Sequence, residues 1–555
     1  MSNTEYDVVV VGSGAGGGAI AWALSSQKIK VLLLEAGGFY NPAKDYLLDK
    51  PQWEQTGFPM KEPHEKFYSF GKMQKLNERF SSLAGFNHIT GRSNKTNRRL
   101  AGTYHHLRAV GGSTLMFSGE AHRLNPNSMK MKTRFGVAAD WPMEYTELEP
   151  FYQTVENIIG VSGQFDANAL RPFSAPYPLP PHKISYSSSI IKEGALKHGI
   201  SFVPNSLAIL SKPYDGRPAC NYCGGCLRGC MLTDKGSVDV TFIAKAIATG
   251  YLTIKTQSTA VSIEAGPNDK VVQVQYVDSK RNYQTAHGKI FVISCGAVHT
   301  PRLLLLSNNR YSPDGLCNDY GVVGHNFMET LSCTVSGLYD KRIESYRGLP
   351  ADIISWDYNN PDSIKDVIGG CRFSAGSIET DFTGPINYAL RVAGGWGKRH
   401  KDEMRNVFGN ILTISAVGES LPNRRSYVGL NKKKRDAHGM PLPKICTYLD
   451  EMELNRLKFM LETSKEILNA SGAGKIIEQN TSYDIFNSTH VFGTCRMGTD
   501  IKDSAVNQYC QSHRWKNLFV VDASVFPSSG GGQSPSLTIE ALALRTAKYI
   551  TDNLR

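Results

Sequence analysis

The sequence is 555 residues long, more than one compact core usually supports, so at least two domains are expected. Its 41% hydrophobic and 20% charged residues are typical of a globular protein and exclude a disordered or fibrous chain. The net charge is +12, but Lys and Arg are scattered and the densest run, 432–435, precedes a predicted hairpin turn, so nucleic-acid binding is not predicted.

The N-terminal residues show no export signal, because a strand pattern begins by Tyr6 without a basic and then apolar leader. No apolar run reaches the roughly 18 uncharged residues that a membrane span requires. The sequence therefore predicts no transmembrane segment.

A phosphate-binding loop is predicted directly after the first strand. Residues 8–11 are all valine, as expected for a strand buried on both faces, and they lead into a G-x-G-x-x-G loop at 12–17. Gly12 permits the tight turn, Gly14 lets a pyrophosphate approach the backbone, and Gly17 lets helix and strand pack closely. The helix that follows offers unpaired N–H groups to phosphates. The cofactor contacts predicted in this loop are Gly12, Ser13, Gly14, Ala15 and Gly17.

An acidic residue completes the dinucleotide-binding pattern. The second predicted strand, Val31–Leu34, ends in Glu35, which follows Gly14 at the offset where a carboxylate accepts hydrogen bonds from a ribose diol. The alternative, a glycine-rich turn in an ordinary α/β protein, does not require that acid. These residues predict a dinucleotide and leave NAD and FAD both open.

The rest of the chain alternates between helix–strand segments and a sheet-rich region. Residues 41–100 are polar and aromatic and suggest an excursion over a surface, and 171–182 are rich in proline. Alternating apolar and polar residues at 331–440, with Gly and Pro breaks, predict an antiparallel sheet. Helices are predicted at about 146–159, 451–471 and 536–553, alternating helix and strand over 235–310, and a strand at 518–521.

Five segments further along the chain carry a family resemblance. They are Gly-Gly-Ser-Thr at 111–114, Gly-Ala-Val-His-Thr-Pro at 296–301, Val-Gly-His-Asn at 323–326, His-Val-Phe-Gly-Thr at 490–494, and Val-Asp-Ala-Ser-Val-Phe-Pro at 521–527. In this order they resemble the glucose–methanol–choline (GMC) oxidoreductases, which are FAD enzymes acting on alcohols. Within that family the chain looks similar to the large subunits of gluconate and fructose dehydrogenases. Asn308 departs from the pattern, because Gly is usual there.

The resemblance implies an α/β fold, with a Rossmann-like FAD-binding domain and an inserted antiparallel-sheet substrate domain. The active site is expected between the two. The FAD-binding domain is predicted in three parts at 1–130, 215–330 with a Cys-rich loop, and 485–555, and the substrate domain in two parts at 131–214 and 331–484.

The resemblance also implies which further residues lie beside the cofactor. Gly112 and Ser113 match the loop beside the flavin, and Asp522 and Ala523 match a family position near the cofactor. Some relatives attach FAD covalently through a histidine just after the Gly-Gly loop. Here Leu, Met and Phe occupy 115–117, so the flavin is expected to be non-covalent.

His490 is the predicted catalytic base. A histidine that titrates near neutrality suits removal of a hydroxyl proton, and His490 lies in the motif that places the base over the flavin in the family. The family's second catalytic residue, His or Asn, is replaced here by Ser534, which has a shorter reach. Three alternatives follow: Gln533 turns into the site, Ser534 acts through a water, or His490 works largely alone.

Four cysteines are concentrated in one loop. Cys220, Cys223, Cys226 and Cys230 reproduce the spacing of an iron–sulfur ligand run, without its trailing proline. No histidine follows a C-x-x-C pair, which excludes a c-type haem, and a single zinc usually takes two knuckles spaced further apart. The alternative is a Gly-Cys loop with free thiols beside the flavin.

The sequence therefore predicts an FAD-dependent dehydrogenase that oxidises an alcohol group of a sugar, polyol or sugar acid and passes electrons to an acceptor other than O₂. Two alternatives stay open: an oxidase using O₂, and a protein with structural FAD and no redox turnover. The resemblance implies a small subunit and a cytochrome as partners. A cytoplasmic location is the default, and a periplasmic one follows if a signal-bearing subunit is co-exported.

Overall fold

The structure is a computed structural model that describes residues 6–46, 104, 106–165, 170–227, 229–376, 382–483, 486 and 488–553. It also gives the backbone of two short strands, Tyr68–Phe70 and Gln74–Leu76. Most of the surface excursion predicted for 41–100 lies outside the described residues.

The strands and helices follow each other in the order that an α/β chain with an inserted sheet requires. In chain order the strands are β1 Tyr6–Val11, β2 Val31–Leu34, β3 Tyr68–Phe70, β4 Gln74–Leu76, β5 Val203–Pro204, β6 Leu252–Lys255, β7 Thr259–Ala265, β8 Val271–Val277, β9 Tyr283–Ala286, β10 Gly288–Ile293, β11 Met328–Glu329, β12 Leu331–Tyr339, β13 Ile353–Ser355, β14 Cys371–Ala375, β15 Ile411–Gly418, β16 Tyr427–Arg435, β17 Pro441–Cys446, β18 Ala473–Thr481, β19 Val491–Phe492 and β20 Leu518–Val520. The α-helices are α1 Ala15–Ser25, α2 Pro42–Asp45, α3 Met131–Phe135, α4 Tyr145–Ile159, α5 Tyr186–Leu196, α6 Ala244–Ala248, α7 Gly296–Leu306, α8 Pro385–Arg391, α9 Gly397–Val407, α10 Glu451–Ala470 and α11 Ser536–Asn553.

A five-stranded parallel sheet forms the centre of the nucleotide-binding part. Its strand order is β20-β10-β1-β2-β6, so distant parts of the chain supply neighbouring strands. The valines of β1 are buried, which explains their uninterrupted apolar run. Strands β2 and β6 lie on one side of β1, and the later strands β10 and β20 lie on its other side. Where the strand order reverses in this way, a crevice forms at the carboxyl ends of the strands, and ligands bind there in open α/β sheets.

A six-stranded sheet forms the second layer, with the order β18-β12-β15-β14-β13-β5 and antiparallel pairing throughout. Helix α10 packs on one face, where Cys333, Val335 and Phe373 join its core. The alternate residues Ser332, Thr334 and Arg372 line a cavity on the other face. Because side chains alternate along a strand, one face is apolar and buried under the helix, and the other is polar and faces the cavity.

The long predicted helices are confirmed, whereas 235–310 contains five successive strands, β6 to β10, between helical segments instead of a simple alternation. The helices expected at about 146–159, 451–471 and 536–553 are present, and the basic run at 432–435 is exposed at the end of β16, just before the predicted turn. The 331–440 region is not sheet alone, because it also contains the two helices α8 and α9. Among the helices of the described ranges, none has the length and hydropathy needed to cross a membrane.

Candidate active site

A cavity of about 560 Å³ lies between the two sheets. Its size is in the range of sites for small molecules and cofactors. The groups on its wall from the nucleotide-binding part are called here the cradle: residues 12–16, Glu35, Gly112, Ser113, Asp522 and Ala523. His490 and Ser534 line the same cavity.

The glycine loop has the shape that a phosphate requires. Gly12 has φ +91°, and a Cβ there would lie 2.5 Å from the carbonyl oxygen of Ser294. A Cβ on Gly17 would lie 1.8 Å from the oxygen of Gly12, so Gly17 serves the packing of α1 and is not itself on the cavity wall. Gly14 is different, because the nearest atom to its Cβ would be the Gly112 Cα, 3.9 Å away. The space beside Gly14 is therefore open for a ligand at the N-terminus of α1.

Glu35 fastens the loop to the end of β2. Its carboxylate accepts hydrogen bonds from the backbone N–H of Ser13 (3.1 Å), the Ser13 hydroxyl (2.6 Å) and the Gly37 N–H (2.8 Å). Burial raises the pKa of Glu35, and these hydrogen bonds oppose the rise. The residue thus has a structural role in addition to the predicted contact with a ribose.

The second glycine loop faces the first. Gly112 follows Gly111, which has φ +99°, and begins a 3₁₀ turn that ends at Met116. The Thr114 hydroxyl closes this turn by donating to the Gly111 carbonyl at 2.6 Å. Ser113 accepts a hydrogen bond from the Leu107 N–H at 3.3 Å, so its position on the wall is fixed.

Asp522 joins three segments at the carboxyl end of β20. One carboxylate oxygen accepts from the Gly296 N–H (2.9 Å) and the Thr300 hydroxyl (2.6 Å), and the other accepts from the Ser524 N–H (2.8 Å). Burial raises the pKa of Asp522, and these hydrogen bonds oppose the rise. Ala523 follows on the cavity wall.

His490 is half-buried and lines the same cavity. Its backbone carbonyl accepts hydrogen bonds from the Thr330 N–H (2.9 Å) and the Ser488 hydroxyl (2.8 Å), which fix the residue. Burial lowers the pKa of His490 to about 4, while the nearby Glu120 carboxylate raises it and Arg372 lowers it further. The imidazole is therefore neutral at physiological pH and able to accept a proton.

Ser534 belongs to a buried polar network that the sequence did not reveal. Its hydroxyl donates to Glu120 at 2.8 Å, and Arg372 donates to the same carboxylate oxygen at 2.6 Å. The Ser534 backbone N–H donates to His122 at 3.2 Å, and the other ring nitrogen of His122 lies 2.9 Å from the side-chain oxygen of Asn205. These five residues are called here the Ser534 network. Of them, Glu120, Arg372 and Ser534 line the cavity.

Gln533 lies on the far side of the same loop. Its amide nitrogen donates to the side chain of Asn359 at 3.0 Å, and Asn359 in turn donates to the Gly531 carbonyl at 2.7 Å. Gln533 is buried and does not line the cavity. The structure therefore brings Ser534 to the cavity with His490 and leaves Gln533 supporting the loop from behind.

The four-cysteine loop does not form a metal site in the structure. Cys226 is buried, Cys220 and Cys230 are partly buried and Cys223 is exposed, and all four are free thiols. Cys230 donates to the Asp234 carboxylate at 3.1 Å, and burial raises its pKa to about 11. Among the described residues, no three His, Cys, Asp or Glu side chains are grouped so that they could hold a metal ion. The iron–sulfur interpretation of the spacing is not supported by this arrangement.

Comparisons with known proteins agree with the geometry of the cavity. Two family models described as GMC oxidoreductase match residues 90–331 and 422–543. The chain is 29% identical to the 2-methyl-1,2-propanediol dehydrogenase of Mycolicibacterium austroafricanum, over 99% of this chain and 96% of that protein. It is 27% identical to the fructose dehydrogenase large subunit of Gluconobacter japonicus, over the full length of both. Relatives named as oxidases match at 27% and 29% identity.

A solved structure shares the fold. The crystal structure of pyridoxine 4-oxidase from Mesorbium loti superposes with a TM-score of 0.64, covering 99% of this chain and 100% of that one. At 18% identity this similarity concerns the fold alone.

Proposed function

The chain belongs to the GMC oxidoreductase family, and from this premise we propose that it is an FAD-dependent dehydrogenase of a sugar, polyol or sugar acid. Family membership makes it an oxidoreductase acting on alcohols; the substrate, the acceptor and the residue roles belong to the proposal. One observation carries it: a single cavity joins a phosphate-binding cradle to a neutral, half-buried His490.

The cradle fits FAD. The open space beside Gly14 at the N-terminus of α1 suits a pyrophosphate, and Glu35 lies at the end of the next strand, where a ribose is held in such folds. Gly112, Ser113, Asp522 and Ala523 extend the cradle along the same cavity. When bound, FAD supplies the acceptor for the hydride that leaves the carbinol carbon. Leu, Met and Phe occupy 115–117, where some relatives carry a flavin-linking histidine, and this supports non-covalent binding of the cofactor.

His490 acts as the general base in this proposal. Its neutral ring accepts the hydroxyl proton of the substrate, which frees the electrons of the C–H bond to leave as hydride. His490 lines the cavity, where a substrate hydroxyl can approach its ring. Ser534 lies in the same cavity as a second polar contact.

We also propose the discontinuous division of the chain predicted from the sequence. The parallel sheet draws its strands from segments 1–130, 215–330 and 485–555, and the six-stranded sheet from 131–214 and 331–484. The cavity then lies between an FAD-binding domain and a substrate domain.

The electrons are proposed to pass to a partner other than O₂. One relative is named as the large subunit of a fructose dehydrogenase, a name that supports at least one further subunit. A small subunit and a cytochrome are the proposed partners of this chain. The net charge of +12 would favour an acidic partner. No step of the proposal passes through an iron–sulfur cluster, because Cys220, Cys223, Cys226 and Cys230 are not arranged as ligands.

Two experiments test these assignments. The purified protein should be yellow, release intact FAD on acid precipitation, and bleach anaerobically when a sugar or polyol is added. Flavin that stays with the precipitate would contradict non-covalent binding, and a flavin that no alcohol bleaches would leave the structural-FAD alternative.

The second experiment concerns the acceptor. Relatives named as oxidases make O₂ the main alternative. Peroxide production in air as fast as reduction of an artificial acceptor would favour the oxidase. Iron and acid-labile sulfide measured on anaerobically purified protein would decide the role of the four cysteines.

A further inference from the structure

The Ser534 network fixes the direction of every hydrogen bond that reaches the Ser534 hydroxyl. The starting point is Glu120, which is buried and accepts from Ser534, Arg372 and Asn205. Burial raises its pKa, but Arg372 and the other partners outweigh burial and hold the pKa at about 2. Glu120 is therefore ionised at all working pH values and can only accept hydrogen bonds.

The hydrogen bonds of His122 are consistent with Glu120 acting as an acceptor. Its Nδ1 faces the Ser534 backbone N–H, which can only donate, so this nitrogen carries no proton. Burial lowers the pKa of His122 to about 3, which keeps the ring neutral. Its proton therefore lies on Nε2 and is donated to the Asn205 side-chain oxygen at 2.9 Å. The Asn205 amide nitrogen then donates to Glu120 at 3.2 Å and to the Ala351 carbonyl at 3.0 Å.

These hydrogen bonds determine what the Ser534 hydroxyl can offer to the cavity. Ser534 has one hydroxyl proton, and that proton is donated to the permanently charged Glu120 at 2.8 Å. The hydroxyl oxygen can then offer only lone pairs to a bound substrate.

We propose, on the basis of the alcohol oxidation proposed above, that Ser534 selects substrates that carry a second hydroxyl on the carbon next to the reacting one. The reacting hydroxyl donates to His490, and the neighbouring hydroxyl donates to Ser534 Oγ. A monoalcohol, or an ether at the neighbouring oxygen, leaves the Ser534 acceptor unpaired in a buried site. The substrate class is therefore the vicinal diols of sugars and polyols.

The charge of the network favours neutral diols. Arg372 donates to Glu120, to the Gly532 carbonyl at 2.8 Å and to the Ser374 hydroxyl at 3.0 Å. Its positive charge is thus balanced by Glu120 inside the protein. The wall offers a hydroxyl acceptor instead of a net positive charge, which suits an uncharged polyol better than a sugar acid.

The test compares three symmetric or matched alcohols on the holoenzyme. Anaerobic flavin reduction is followed with butane-2,3-diol, its monomethyl ether 3-methoxybutan-2-ol, and butan-2-ol. We expect kcat/KM for the diol to exceed that of the other two by about tenfold to a hundredfold, as for an unpaired buried acceptor. Ser534→Ala should bring the three values within about threefold of each other by slowing the diol. Ser536→Ala, which removes a hydroxyl of the same wall outside the network, should keep the discrimination.

Reduction of the wild-type flavin by butan-2-ol or the ether as fast as by the diol, or no reduction by the diol when other alcohols bleach the flavin, overturns the inference. Failure of every alcohol to bleach the flavin instead overturns the proposed function itself.

Discussion

The cradle and the Ser534 network face each other across one cavity, yet they are made of different groups. The cradle is largely backbone: the glycine loop at 12–16, a second loop at Gly112 and Ser113, and two carboxylates, Glu35 and Asp522, that accept backbone N–H groups. The Ser534 network is made mainly of buried side chains, which come from four separate parts of the chain. In the proposed function, backbone geometry would hold the cofactor, and side-chain polarity would decide which alcohols react with it.

The largest expected effect is at Gly17, which packs helix α1 against the cradle. Gly17→Ala places a Cβ 1.8 Å from the backbone oxygen of Gly12. This clash can be removed only if helix α1 moves away from the strand on which it packs. We expect the free energy of unfolding to fall by about 3 kcal/mol or more and FAD to be lost. Gly14→Ala is the matched control, because its Cβ would meet only Gly112 at 3.9 Å. It should keep the stability of the apoprotein in urea and still lose FAD, measured by flavin absorbance. Equal loss of apoprotein stability in both variants would show that Gly14 also serves packing.

Arg372→Met tests how much the Ser534 network contributes to the free energy of unfolding. It leaves the buried Glu120 charge without its cation, so unfolding should become about 3–5 kcal/mol easier at neutral pH. The pKa of Glu120 is lowered from 4.5 to about 2 in the folded protein, so the pair stabilises the fold above pH 4.5 and loses this contribution as pH falls toward 2. The stability gap between wild type and variant should therefore narrow in acid.

The control for Arg372→Met is the double variant with Glu120→Gln. Removing both charges should recover part of the lost stability in a urea titration at pH 7. No recovery would mean that Arg372 acts mainly through Gly532 and Ser374 and that the ion pair matters little.

His490→Ala separates chemistry from cofactor binding. FAD should stay bound, while flavin reduction by substrate slows by roughly 10²-fold or more for the lost base. Because burial lowers the pKa of His490 to about 4, the wild-type rate should be flat above pH 5 and fall only in more acid solution. Stopped-flow measurement of flavin reduction at several pH values gives both the loss in His490→Ala and the pH dependence of the wild type. A wild-type rate that already falls near pH 6.5 would contradict the lowered pKa of His490.

Ser534→Ala has the smallest expected effect, because the substrate loses one neutral hydrogen bond and Glu120 keeps Arg372. Flavin reduction by a polyol should slow by about tenfold. A loss as large as that of His490→Ala would instead make Ser534 a full catalytic partner and would remove the distinction between base and specificity residue.

Helices and strands were predicted correctly where the hydrophobic pattern was long or was bounded by glycine. The valine run of β1, the helix of Tyr145–Ile159 and the final helix Ser536–Asn553 all follow from residues adjacent in sequence. The region predicted as sheet also contains two helices, Pro385–Arg391 and Gly397–Val407. They were not predicted because both are short, and the glycines between them are also typical of breaks between strands. The cysteine spacing suggested a cluster, but spacing alone does not orient four side chains around a common centre.

The sequence by itself indicated most of the proposed cradle, since Gly12, Gly14, Glu35 and Asp522 act through backbone geometry and through contacts near strand ends. It also placed His490 in a motif. Only the tertiary structure decided the partners of Ser534. Glu120 and Arg372 are separated from it by 414 and 162 positions, and no periodicity relates them. Arg372 reaches the cavity because alternation along β14 turns it away from the core that Cys371 and Phe373 enter. The direction of the Ser534 hydroxyl depends on the charge of a buried carboxylate, and that charge is set by which side chains the fold brings around it.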